Sequence, residues 1–209
     1  MSAPPSRLQR LARRPAPAPP AELEERCDLC AAAIAPEHRH LLDLEDRSLR
    51  CVCRPCSILF DHRGAGGGHF RLLPDRVRAV TDLALDDALW RSLDIPVDLA
   101  FFFHSSAAGR VVAFYPAPVG ATESLLELSD WELLVTGNPV LAELEEDVEA
   151  LLLDRRDGRR DAWLVPVDRC YELVGTIRSG WRGFGGGEEV WAGIDRFFDD
   201  LPTREATRW

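Results

Sequence analysis

Two Cys-x2-Cys pairs, Cys27/Cys30 and Cys53/Cys56, stand 22 residues apart and constrain this chain more than any other feature. A Cys-x2-Cys turn points two thiolates at one ion, and a second pair completes a tetrahedral set. Residues 23–62 therefore read as a four-cysteine metal-binding module. Between the pairs, "HLLDL" and "SLRCVC" flank the polar turn "EDR" and predict a hairpin. "PCSILFDH" predicts a short helix with Pro55 suited to its first turn. A hairpin and helix pinned by two such turns is the plan of zinc-ribbon and treble-clef modules. A segment of this size buries too little apolar surface to fold easily on its own core, so a metal would supply the missing stability.

The donor set is left open by spacing alone. Cys51 and Cys53 share a face if the strand continues through both, so Cys51 can replace Cys53 or stand as a spare thiol. His38 and His40 alternate onto one strand face and are the other alternates; their plainer reading is polar decoration of an exposed hairpin face. Zn2+ in a closed four-cysteine site is the first expectation. Iron on the same thiolates, as in rubredoxins, is the second, because both ions accept tetrahedral sulfur. Rubredoxins usually place glycine after the second cysteine of each pair, where this chain has Ala31 and Ser57. A labile mixed site that hands its metal on is the third.

The rest of the chain divides by composition. Residues 1–22 read as a disordered Pro/Ala/Arg tail, 63–71 as a Gly-rich linker, 72–202 as an α+β body and 203–209 as a C-terminal tail. In the body, apolar spacing predicts a helix over 75–93 capped by Asp75. A hairpin turning at Gly109 follows, then a strand at Trp131–Val135. A second hairpin turns at Asp157-Gly158. A helix capped by Asp168 comes next, and "GFGGG" separates it from a last helix with Val190, Trp191, Ile194, Phe197, Phe198 and Leu201 facing inward. The expected architecture is an antiparallel sheet of four or five strands with helices packed on one face.

Several function classes are excluded or disfavoured. The chain contains no lysine, so a P-loop lysine, a pyridoxal Schiff base and a lysine nucleophile are all ruled out. Residues 1–71 carry a net charge of +2 and the remainder −12, within a total of −10. A body this acidic repels phosphate backbones, which argues against nucleic acid. No apolar run approaches the roughly 20 residues that span a bilayer, and the N-terminus lacks the apolar stretch of a signal peptide. The expectation is a cytoplasmic protein without membrane insertion, its thiols reduced. HExxH, GxSxG and a GxGxxG with its ribose-binding acid are all missing.

The reading is accordingly non-catalytic. A thiol-dependent enzyme using Cys51 or Cys170 is the weakest alternative, with His104 a potential partner of Cys170 or Asp98. In "GWRGFGGGEE", Trp181, Arg182 and Phe184 form a candidate protein-binding surface, since Arg and Trp are favoured interface anchors. The oligomeric state is not legible.

Three blocks carry a resemblance: "CDLC…APEHRHLLDLEDRSLRCVCRPCSILFD", "IPVDLAFFFHSS…RVVAFYPAPVGATES" and "WLVPVDRCYELVGTIRSGWRGFGGGEEVW". Over about residues 24–201 the chain resembles a domain-of-unknown-function family of high-GC Gram-positive bacteria. Its members are often encoded near uptake nickel-iron hydrogenase genes. The resemblance supplies no catalytic residues. It implies an accessory protein in hydrogenase assembly or maturation, whose client is a hydrogenase subunit or assembly factor, or else an electron carrier.

Overall fold

The computed structural model describes residues 25–93, 95–124, 131–183 and 185–201. The expected tails at 1–22 and 203–209 lie outside the described residues.

The cysteine region builds as the local sequence directs. Strands β1 (Arg39–Asp43) and β2 (Leu49–Val52) pair antiparallel around the turn containing Arg47. Helix α1 (Arg54–Leu59) starts directly after β2, with Cys53 as its N-cap and Pro in its first turn. Strand β3 (Phe70–Leu72) adds to the other edge of β1, giving the order β2-β1-β3. The stretch 63–71 is thus more than a linker: its end supplies the third strand. One of its glycines also lies close against an aromatic ring. Gly66 sits at φ 61, and a Cβ there would lie 2.7 Å from the Phe60 ring.

The body is a six-stranded antiparallel sheet in the order β4-β9-β8-β5-β6-β7. Its strands are β4 (Arg78–Ala79), β5 (Leu99–Ser105), β6 (Arg110–Ala117), β7 (Gly120–Glu123), β8 (Glu149–Asp154) and β9 (Asp161–Pro166). The two expected hairpins are β5-β6 and β8-β9.

The expectation of helices on one face is corrected. Helices α4 (Val167–Gly180) and α5 (Glu188–Asp199) cover Leu99, Phe101, Phe103, Leu152 and Val165. On the opposite face, α2 (Asp87–Ser92) and α3 (Trp131–Gly137) cover Ala100, Phe102, Leu151, Leu153 and Leu164. Successive strand residues point to opposite faces, so "LAFFF" and "ALLL" are continuous apolar runs because both faces are buried.

Three local expectations also change. The 75–93 segment is not one helix. Its first part forms edge strand β4 on β9, the chain turns at Asp82 (φ 59), and α2 begins only after Asp86. The Asp86 carboxylate accepts from the amides of Ala88 and Leu89, which is what fixes that start. Trp131–Val135 is helical rather than extended. Leu134 is buried beneath α3, Trp131 stacks on Phe102, and the Asn138 side chain donates to the Leu134 carbonyl at the helix end. Trp191 lies outward on α5 at 42% exposure, while Val190, Ile194, Phe197, Phe198 and Leu201 are buried.

The small sheet docks on the α4 side of the body. Leu42 and Leu73 join the core beneath α4 and α5. Polar contacts stitch the seam: Arg39 to Asp75 at 2.8 Å, Arg47 to Asp147 at 2.7 Å, and His40 to Asp168 at 2.8 Å.

Candidate metal centre

The first cysteine pair sits on a tight knuckle. Arg26 and Ala33 bridge antiparallel, the Cys27 amide donates to the Ala32 carbonyl, and the Ala31 amide donates to the Cys27 carbonyl at 2.8 Å. Ala31 takes φ 60, the left-handed conformation that glycine adopts more readily. The knuckle is clipped to β2 through both backbone groups of one residue, Cys51. The Asp28 amide donates to the Cys51 carbonyl at 2.9 Å, and the Asp28 carboxylate accepts from the Cys51 amide at 2.6 Å.

The second pair sits at the start of α1. Cys53 is the N-cap and Cys56 lies one turn in, so the helix geometry itself aims both sulfurs the same way.

The four thiols of Cys27, Cys30, Cys53 and Cys56 lie within 4.8 Å of one another, with Cys30 and Cys53 sulfurs 3.6 Å apart. Four bonds of the usual zinc–sulfur length give a tetrahedron with edges of about 3.8 Å. The donor set therefore fits one tetrahedral ion. Cys53, not Cys51, stands with the other three.

The electrostatics of the group are uneven. Burial raises the Cys27 thiol, but amides of Cys53, Leu29 and Cys30 outweigh it and bring it down to about 6. Burial and the neighbouring thiols push Cys56 up to about 12. The Cys27 sulfur is thus poised as thiolate, and a cation would be needed to draw the proton from Cys56. The hydrophobic support is slight: the buried set is Cys27, Leu41, Val52 and Cys56, with Ile34, Cys53, Phe60, Phe70 and Leu72 packed against it.

Cys51, His38 and His40 fall elsewhere. They form a second group whose ligand-capable atoms lie within 4.8 Å of one another. Burial, then the carboxylates of Asp28 and Glu25, push the Cys51 thiol up, which makes it a poor free nucleophile. The other thiol candidate fares no better. Cys170 is fully buried and its thiol is held well above its ordinary value by burial and by Asp168. His104 pairs with neither Cys170 nor Asp98; its Nδ1 lies 2.9 Å from Glu146.

The residues of "GWRGFGGGEE" are partly committed. Trp181 donates to the Gly183 carbonyl, and Arg182 donates to the carbonyls of Ser179 and Trp181 at the end of α4. Trp191 meets Trp181 edge-on at 6.2 Å. Phe184 lies outside the described residues. A cleft of about 170 Å³ lies between module and body, lined by Arg39, Arg63, Arg71 and Glu145 among others. Its arginines are partly engaged, Arg39 by Asp75 and Arg63 by Glu145. No helix among the described residues is long and apolar enough to cross a membrane.

Fold and site together define a mixed α+β protein: a knuckle, hairpin and helix carrying four convergent thiols, docked on a two-sided antiparallel sheet. The chain belongs to a family of unknown function (DUF5947), whose model matches residues 26–205. No curated protein matches it, and no solved structure does.

Proposed function

We propose that Cys27, Cys30, Cys53 and Cys56 hold one Zn2+ in a closed structural site of treble-clef type, and that the stapled chain is a non-catalytic accessory protein that binds a protein client. The observation that carries the reading is the convergence of the four thiols at tetrahedral spacing over a small cluster whose buried members, among the described residues, are Cys27, Leu41, Val52 and Cys56. A knuckle giving the first two ligands, a hairpin, and a helix start giving the last two is the treble-clef arrangement. A closed set of four thiolates keeps no open position for substrate, which favours support over chemistry.

The client is a hydrogenase subunit or assembly factor, the context that the resemblance implies. Trp181, Arg182 and the exposed Trp191 are the surface on which it would dock. Iron on the same four thiolates is the second reading. The amides donating to Cys27 favour it, since such hydrogen bonds tune an iron–sulfur centre.

Elemental analysis of protein purified anaerobically without added metal tests the ion. One equivalent of zinc that persists in Cys51→Ser and is lost from Cys53→Ser supports the staple. Iron with visible charge-transfer bands replaces it with the electron-transfer reading. Bound metal in neither form sinks both. Co-purification of a hydrogenase subunit, weakened by Trp191→Ala, tests the client.

A further inference from the structure

We propose that His38, His40 and Cys51 form a second metal site of their own, distinct from the four-cysteine centre, with an open coordination position and Asp168 as its orienting residue. Register brings the three together. His40 and Cys51 are direct partners across β1 and β2, so their side chains share one face. His38 lies two residues before His40 and returns to that face. The result is two imidazoles and one thiol whose ligand-capable atoms lie within 4.8 Å of one another.

The hydrogen bonds prepare both rings. The Nδ1–H of His38 donates to the carbonyls of Ala35 at 2.9 Å and Pro36 at 3.1 Å. That fixes its tautomer and leaves a bare lone pair on Nε2. The His38 side chain is only 9% exposed, and among the described residues its Nε2 has no hydrogen-bond partner. A buried lone pair without a donor is costly, and a metal ion satisfies it. His40 is held in the same way: its Nδ1 lies 2.8 Å from the Asp168 carboxylate, which leaves Nε2 free. A carboxylate behind a histidine is the recurrent device that orients a metal-binding imidazole and raises its basicity. Around the site, Glu25 approaches His38 Nδ1 at 3.5 Å and Asp28 holds the Cys51 amide, so the surroundings favour a cation.

Two nitrogens and one thiolate suit a borderline divalent ion, zinc first. Three protein ligands leave a fourth position for water or a small ligand, which the four-cysteine site lacks. Asp168 belongs to the start of α4, so ion binding here ties the module to the body.

Cobalt titration of the metal-free full-length chain, followed by absorption spectroscopy, tests the site. Two equivalents are expected in the wild type, one with the intense bands of four thiolates and one with weaker sulfur charge transfer. Cys51→Ser and His38→Ala are each expected to lose the second equivalent while keeping the first. Asp168→Asn, which keeps the side chain's shape, is expected to weaken the second equivalent by about 10- to 100-fold and leave the first unchanged. A single equivalent in the wild type, lost in Cys56→Ser, overturns this site and leaves the staple standing. A second equivalent that survives Cys51→Ser also overturns it. Absence of any cobalt binding overturns both.

Discussion

Arg47 tests whether the cysteine module and the sheet body stand as one unit. It projects from the β1–β2 turn and places its Nη1 2.7 Å from Asp147, whose side chain is fully buried, with its carbon 5.8 Å from the centre of the Phe103 ring. Burial alone would push the Asp147 carboxyl up. Hydrogen bonds from Ser106 and Arg47, with the charge of Arg47, outweigh it and hold the group below its ordinary value. Arg47→Met keeps the stem over Phe103 and removes the charge, stranding a buried carboxylate. Breaking a buried pair costs about 3–5 kcal/mol. Here Arg47 keeps 31% of its surface, and the Ser106 amide still donates to Asp147, so the expected loss is nearer ~2 kcal/mol.

Urea unfolding of the chain as purified, at pH 7, measures it. For a chain of this size the same change lowers Tm by about 4–8 °C. The pair's contribution is present above the ordinary carboxylate pKa of about 3.9 and is lost as pH falls through the lower folded value. The gap between wild type and variant therefore closes on acidification, because a protonated Asp147 needs no counter-charge. Adding Asp147→Asn to Arg47→Met should recover part of the loss. A single variant within ~0.5 kcal/mol of wild type at pH 7, or a gap that widens with acid, refutes the argument.

Phe102→Ala should cost about 3–5 kcal/mol by denaturant unfolding, because Phe102 is fully buried on the face covered by α2 and α3; a cost under ~1 kcal/mol would mean that face is open. Pairing it with Trp131→Ala in a double-mutant cycle should show coupling of about 1 kcal/mol from the stacked rings at 5.8 Å. Ala31→Gly should stabilise the chain by about 0.5–1 kcal/mol, since the relief of a Cβ at φ 60 exceeds the added chain entropy that glycine must lose on folding; thermal melts check the sign. Cys170 should resist iodoacetamide in the folded chain and react only on unfolding, as mass spectrometry of the peptide would show.

The parts of the fold that were legible were those carried by neighbours in sequence. The hairpin between the cysteine pairs, the helix beginning at the second pair, and the β5-β6 and β8-β9 hairpins all announce themselves through alternation and turn residues. The 75–93 segment misled because Val77, Val80, Leu83, Leu85 and Leu89 fall at helical spacing by accident. They belong to an edge strand, a turn and a short helix, and they serve both faces of the sheet. Trp131–Val135 has the apolar β-prone composition of a strand, yet burial of Leu134 under a helical turn decided otherwise. Local preference of a few tenths of a kcal/mol yields to a buried side chain worth about 2 kcal/mol.

Residue order settles which atoms are available: two Cys-x2-Cys turns, a spare thiol, two histidines on one strand face, and no lysine. Local geometry follows from such spacing because turns and helix starts fix the directions of side chains a few residues apart. Tertiary structure decided which of those atoms meet. Cross-strand register set Cys51 against His40 and left Cys53 to the first centre. The fold then brought Asp168 to His40 from 128 residues away. No spacing rule encodes such a contact, because it depends on how the small sheet docks on α4, and that docking is fixed by the apolar surface they bury together.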